Sequence, residues 1–133
     1  MIEKVNHIGI AVKSIEEASK LYTEVLGLKI KEIEIVADQK VKIAIIPVGD
    51  TRIELLESTD PEGPIAKHIA ARGEGLHHVA LQVDDIRATL EALQKKEVPL
   101  IDKTPRMGGG HCQIAFLHPK ATKALIEITQ PPK

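Results

Sequence analysis

The sequence predicts an α+β fold: two paired βαβββ modules forming a curved mixed sheet around a metal-containing cavity. Three observations lead there. The length fits one compact domain, the chain carries an internal repeat, and the same strand and helix periodicities recur in both copies. The expectation is a single domain over residues 1–133, with internal modules at about 3–60 and 74–131.

Composition sets the outer limits. The 133 residues hold 18 Lys and Arg against 19 Asp and Glu, a net charge of −1, with 6 His in reserve near neutral pH. Domains commonly run to about 100–150 residues, and a chain of this size buries roughly two thirds of its unfolded surface. A hydrophobic fraction of 43% with 28% charged residues is that of a globular protein. Near-zero net charge, one Tyr, one Phe and no Trp argue against a nucleic-acid surface, which needs basic charge or stacking platforms. No apolar run approaches the roughly 20 residues of a membrane span, and no apolar signal core follows Met1-Ile2-Glu3-Lys4. The single cysteine, Cys112, has no partner for an internal disulfide. The expectation is a soluble, cytoplasmic protein with neither nucleic acid nor membrane as partner.

The repeat lays residues 6–30 over residues 77–101, so that His7 falls on His78, Val12 on Val83, Ile15 on Ile86 and Ile30 on Ile101. The same shift sets KIAII (42–46) on QIAFL (113–117). A slightly longer turn then brings RIELLE (52–57) over LIEITQ (125–130), with Glu54 on Glu127.

In the first module, Val5 to Val12 alternates His7, Gly9 and Ala11 with Ile8, Ile10 and Val12, the period of a half-buried strand. Ser14 starts a helix, with Glu17 three residues on as in a capping box and Ile15, Ala18, Leu21, Tyr22 and Val25 at helical spacing. Gly27 ends it in a left-handed conformation. Leu28 to Val36 and Val41 to Val48 read as strands, and Gly49-Asp50 turns into a strand from Arg52 to Glu57. Pro61, Gly63 and Pro64 open a linker that holds a short helix over Ile65 to Ala71 and closes at Arg72-Gly73-Glu74-Gly75. The second module repeats the pattern: a strand at 77–83, Asp84 or Asp85 as cap, a helix to about Glu97, and strands near 98–102, 111–118 and 123–129. One helix covers one face of each sheet. The uncovered faces would form one cavity if the modules pair about a pseudo-twofold.

Alternation directs the candidate ligands. His7, His78, Glu54 and Glu127 each lie between aliphatic neighbours that take the helix-facing side, so all four point away from the helices. A buried, unpaired carboxylate is costly, so a cation is expected beside it. Two imidazoles and two carboxylates suit a divalent first-row metal such as Zn, Co, Mn, Ni or Fe, leaving two octahedral positions for water or a chelating substrate. Taken singly, each has an ordinary reading as a strand-end histidine or an edge carboxylate. Taken together under one repeat operation, they point to a metal.

The remaining residues divide as follows. His77 faces the opposite side from His78 and is expected to be packed or hydrogen-bonded. His68 is expected to be solvated and Cys112 to be a small buried filler. Gly108-Gly109-Gly110, between the 98–102 and 111–118 strands, reads first as a flexible turn and second as a set of amides for a thioester or carboxylate. Gly109, His111 and Lys120 are the corresponding substrate-binding candidates. Lys120 and Lys123 either meet phosphates or lie in a solvated turn.

NHIGIAV (6–12), IELLE (53–57), GPIAKHIAARGEGLHHVALQVDDI (63–86) and IAFLHPKATKALIEITQ (114–130) resemble the vicinal oxygen chelate superfamily, which includes glyoxalase I, extradiol dioxygenases and antibiotic-resistance proteins. The likeness is nearest to its methylmalonyl-CoA epimerases and runs along nearly the whole chain. It implies that His7, His78 and Glu127 are the principal metal ligands, with Glu54 at a fourth position where some members carry Gln. It implies one divalent ion per chain, cobalt first, with manganese, nickel or zinc as alternatives. It also implies methylmalonyl-CoA or a related acyl-CoA thioester as partner, and a homodimer. Epimerisation would then proceed by α-proton abstraction through a metal-stabilised enolate, with Glu127 as one acid/base group. Some relatives carry a carboxylate on the third strand at the position matched to Lys42, so the second group is Lys42 with a lowered pKa, Glu54 or a water.

Two other functions compete. A glyoxalase I-like lyase would use similar ligands, whereas ring-cleaving oxygenases leave three iron positions open and do not need a fourth protein ligand. A metal-free sequestering protein would want an aromatic-lined pocket, for which 2% aromatic content is poor material.

Overall fold

The computed structural model describes every residue from Met1 to Lys133. The protein is α+β, with eight strands: β1 (Ile2–Ala11), β2 (Glu32–Val36), β3 (Val41–Val48), β4 (Thr51–Ser58), β5 (Gly75–Val83), β6 (Arg106–Met107), β7 (Gln113–Leu117) and β8 (Ile126–Gln130). Its four α-helices are α1 (Ile15–Lys20), α2 (Pro64–Arg72), α3 (Ile86–Lys95) and α4 (Pro119–Thr122). None is long and apolar enough to cross a membrane. The chain forms two compact units, His7–His77 and Met1–Asn6 with His78–Lys133, and the division falls inside β1.

In the unit His7–His77 the strand order is β2-β3-β4-β1, with β1 and β4 parallel and the other pairs antiparallel. One face packs Val12, Ala44, Ile46 and Leu55 against Ile15, Ala18 and Tyr22 of the first helix. The opposite face packs Ala11, Val41, Ile43, Ile45 and Leu56 beneath Ile65 and Ile69 of α2. Ile46 and Leu55 are fully buried, each stabilising the fold by about 1.5–3 kcal/mol. The Ser14 hydroxyl accepts the Glu17 N–H at 3.2 Å, capping α1 as the sequence predicts. The helix runs on into a π-turn over Leu21–Val25 and stops at Gly27, whose φ of 75° is left-handed. Residues 28–31, expected in a strand, are not: Leu28 N–H bonds the Tyr22 carbonyl, and Leu28 and Ile30 fill the α1 cluster.

In the other unit the order is β5-β8-β7-β6, with β5 and β8 parallel. Val83, Ala115, Leu117 and Ile128 pack against Ile86 and Leu90 of α3. Asp85 caps α3, accepting the Ala88 N–H at 3.0 Å, while Asp84 pairs with the Met1 ammonium. The strand expected at 98–102 reduces to one bridge between Leu100 and Leu117. Pro99 has no N–H for a ladder, and the Phe116 N–H is taken by the Asp102 side chain at 2.9 Å. The two-residue strand β6 forms beyond it, unmarked by any periodicity in the sequence.

Across β1-β4-β3 and β5-β8-β7 the registers of the two units match. Glu54 lies opposite Gly9 on one side and Ile45 on the other; Glu127 lies opposite Ala80 and Phe116, the repeat equivalents. Even the helix starts agree. Ile15 N–H donates to Glu57 Oε1 at 2.7 Å, and Ile86 N–H donates to Gln130 Oε1 at 2.8 Å.

Candidate metal centre

Each unit carries one buried histidine–glutamate pair on parallel strands. His7 on β1 brings Nδ1 to 3.4 Å from Glu54 Oε2 on β4. His78 on β5 brings Nε2 to 3.5 Å from Glu127 Oε1 on β8. His7, Glu54 and His78 are 6% exposed and Glu127 is 5% exposed, which excludes the solvated-edge reading for all four. Alternation produces this burial. Ile53 and Leu55, which flank Glu54, pack in the α1 cluster and Ile128, beside Glu127, packs in the α3 cluster, so each carboxylate takes the other face.

Burial also sets the protonation of the first pair. Desolvation, reinforced by the nearby Arg52 charge, pushes His7 down to about 3, so the imidazole is neutral and keeps a lone pair for a metal. Desolvation pushes Glu54 up to about 7, although Arg52 opposes it with its charge and with a contact of 3.2 Å from Nη2 to Glu54 Oε2. A carboxylate that remains so reluctant to ionise beside an arginine is short of positive charge. A neutral imidazole beside an under-compensated carboxylate fits a divalent cation, whose charge reverses such shifts. His7, His78 and Glu127, each offering one ligand atom, could hold a metal ion.

Lys42 requires a correction. In β3 it lies opposite Glu57, whose carboxylate caps the start of α1, and it shares its face with Ala44 and Ile46. The face of Glu54 is occupied on that strand by Val41, Ile43 and Ile45. Lys42 therefore points away from Glu54 and leaves the list of acid/base candidates.

His77 is half-buried and packs edge-on against His68 with ring centres 4.7 Å apart, so His68 is partly covered, not solvated as expected. Burial, with the His68 charge second, holds His77 down at about 4. Gly108 is a structural turn residue: a Cβ there would lie 2.8 Å from Ile114 Cγ2. Gly109 and His111 lie in a 3₁₀ turn, His111 exposed with φ of 59°. Lys120 is exposed, and its N–H caps onto His118 Nδ1 at 3.0 Å. Cys112 is buried, as expected of a filler.

Sequence reasoning missed Arg52, Phe116, Arg106 and Asp102. Arg52 was legible, since two residues before Glu54 on a strand means the same face. Phe116 was legible through the repeat as the residue opposite Glu127; its ring meets His78 edge to face at 5.7 Å and 85°. Arg106 and Asp102 sit outside any periodic segment.

A family model for the Glyoxalase/Bleomycin resistance protein/Dioxygenase superfamily matches residues 6–116. The chain belongs to this superfamily. Among its superfamily relatives, an uncharacterized protein of Bacillus subtilis (strain 168) is 37% identical, the match covering 98% of this chain and 94% of that one. The ethylmalonyl-CoA/methylmalonyl-CoA epimerase of Cereibacter sphaeroides is 31% identical over 98% of this chain and 99% of its own. A Streptomyces coelicolor methylmalonyl-CoA epimerase variant, solved in complex with 2-nitronate-propionyl-CoA, superposes with a TM-score of 0.93 at 28% identity, covering all of both chains. Within the superfamily, then, the protein is related to methylmalonyl-CoA epimerases.

Proposed function

We propose that the protein is a metal-dependent epimerase interconverting the (R) and (S) forms of methylmalonyl-CoA or a close 2-carboxyacyl thioester. The observation that carries this reading is the pair of buried histidine–glutamate couples at repeat-equivalent positions. It is supported by relatives of that name that match nearly the whole chain.

His7, His78, Glu127 and, as fourth donor, Glu54 would hold one divalent ion, cobalt first, with manganese, nickel or zinc as alternatives. Such an ion supplies positive charge for the thioester oxygen as negative charge develops on it. The chain's own residues move the protons. Inversion requires a proton to leave one face of the α-carbon and another to arrive on the opposite face, which takes two groups. Glu127 accepts the proton. Glu54, held by Arg52, returns one from the other side. Phe116, edge-on to His78, packs against that imidazole and limits its rotation. The duplication thus provides one carboxylate for each proton.

In deuterated water the metal-loaded protein should wash deuterium into the α-position of methylmalonyl-CoA while inverting it. Absence of exchange would remove the assignment.

A further inference from the structure

We infer that Arg106 is an anion-binding residue of the substrate site, taking a carboxylate or phosphate oxygen of the thioester; the inference rests on the proposed substrate class. The β6–β7 register sets Arg106 opposite Ile114, and Ile114 lies opposite Thr129 in β8. Two residues along, Phe116 lies opposite Glu127. Arg106 therefore belongs to the face of the sheet that carries Glu127, away from α3. Its guanidinium carbon stands 5.5 Å from the centre of the Phe116 ring, within cation–π range, and that ring in turn meets His78. The arginine thus lies no farther from the His78 ring than these two contacts laid end to end.

The arginine is aimed by a group that is itself fixed. Asp102 Oδ2 accepts the Phe116 N–H at 2.9 Å, and Asp102 Oδ1 lies 3.3 Å from Arg106 Nε. The side chain of Arg106 is 47% exposed, so the ion pair contributes little to stability. It does commit Nε to one partner and so restricts the orientation of the planar fork. A pre-oriented fork is matched to carboxylate and phosphate oxygens. The first unit carries no arginine at the matching place: on β2, Glu34 lies opposite Ile43, the repeat equivalent of Ile114.

The test compares wild type with Arg106→Met, which keeps an unbranched stem over Phe116, and with Arg106→Lys. Binding of methylmalonyl-CoA, methylmalonyl-pantetheine (no phosphate) and propionyl-CoA (no free carboxylate) is measured on metal-loaded protein by titration calorimetry. Arg106→Met should weaken methylmalonyl-CoA at least tenfold and Arg106→Lys less, with KM rising and kcat within about threefold of wild type. If the loss spares the pantetheine ester, Arg106 reads a phosphate; if it spares propionyl-CoA, it reads the carboxylate. Unchanged binding of all three, or wild type that binds none, overturns the inference. Wild type that binds these ligands with Arg106-dependent affinity but exchanges no α-proton breaks the proposed reaction alone.

Discussion

The two halves of this protein share one register and differ in what surrounds it. Glu54 and Glu127 lie opposite equivalent backbone positions, but the first has Ile45 across the ladder where the second has Phe116. Two residues before Glu54 stands Arg52; the repeat sets Leu125 at that place before Glu127. The first half covers its ligand-bearing face with α2 and holds its carboxylate with an internal cation. The second brings an aromatic ring and an outward-facing arginine beside the ligand. Duplication preserved the four histidine and glutamate positions, and divergence gave the two carboxylates different neighbours.

The largest expected effect tests that separation directly. Glu127→Gln should reduce α-proton exchange by about a thousandfold or more, as loss of a base that is also a metal donor would. Glu54→Gln, whose amide oxygen can still coordinate, should keep exchange within about tenfold of wild type while epimerisation falls about a hundredfold. Equal losses in both reactions for both variants would erase the division of roles.

Next in size are the cores. Leu55→Ala and its counterpart Ile128→Ala each remove a buried aliphatic side chain that packs on its own helix cluster, and each should cost about 2–5 kcal/mol in denaturant unfolding. A large difference between them would show that the halves differ in packing as well as in charge.

A smaller effect belongs to the unit His7–His77. In metal-free protein His7 at about 3 and His77 at about 4 lie below the ordinary 6.5, while Glu54 at about 7 lies above the ordinary 4.5. Between pH 6.5 and 4.5 the unfolded chain gains two histidine protons and the folded chain one glutamate proton. Stability should therefore fall on acidification by about 1 kcal/mol per pH unit, and more steeply just below pH 4.5, where only the histidines count. Near pH 7 the protons lost by Glu54 in the folded chain and by the two histidines in the unfolded chain offset each other, so stability levels off there. Thermal unfolding across pH 4–8 checks the sign, and His7→Gln should flatten the acid limb.

The smallest effect concerns the caps. Ser14→Ala and Asp85→Ala should each cost about 1 kcal/mol, because each removes one side-chain bond to a helix N-terminal amide. Thermal melts of the two variants measure whether the repeated helix starts are also energetically equivalent.

Much of this was readable before any coordinates. The repeat and period-two alternation placed His7, Glu54, His78 and Glu127 on their strands and faces, because local alternation fixes sidedness wherever one face is polar. Lys42 failed for the opposite reason. Apart from Lys42 itself, residues 41–46 are aliphatic on both faces, buried by α1 on one side and α2 on the other, so the pattern carries no mark of which side is which. The strand expected at 98–102 failed because Asp102 took the Phe116 N–H that a ladder would have used.

By itself the sequence determined the duplication, the helix caps and the four ligand-type residues, all of which follow from spacing along one chain. Only the tertiary structure decided that Lys42 faces Glu57, that Arg52 holds Glu54, and that Asp102 aims Arg106 over Phe116 beside His78. Those contacts join residues from different strands and loops, and their partners are chosen by register and by competition for hydrogen bonds, which no local period encodes.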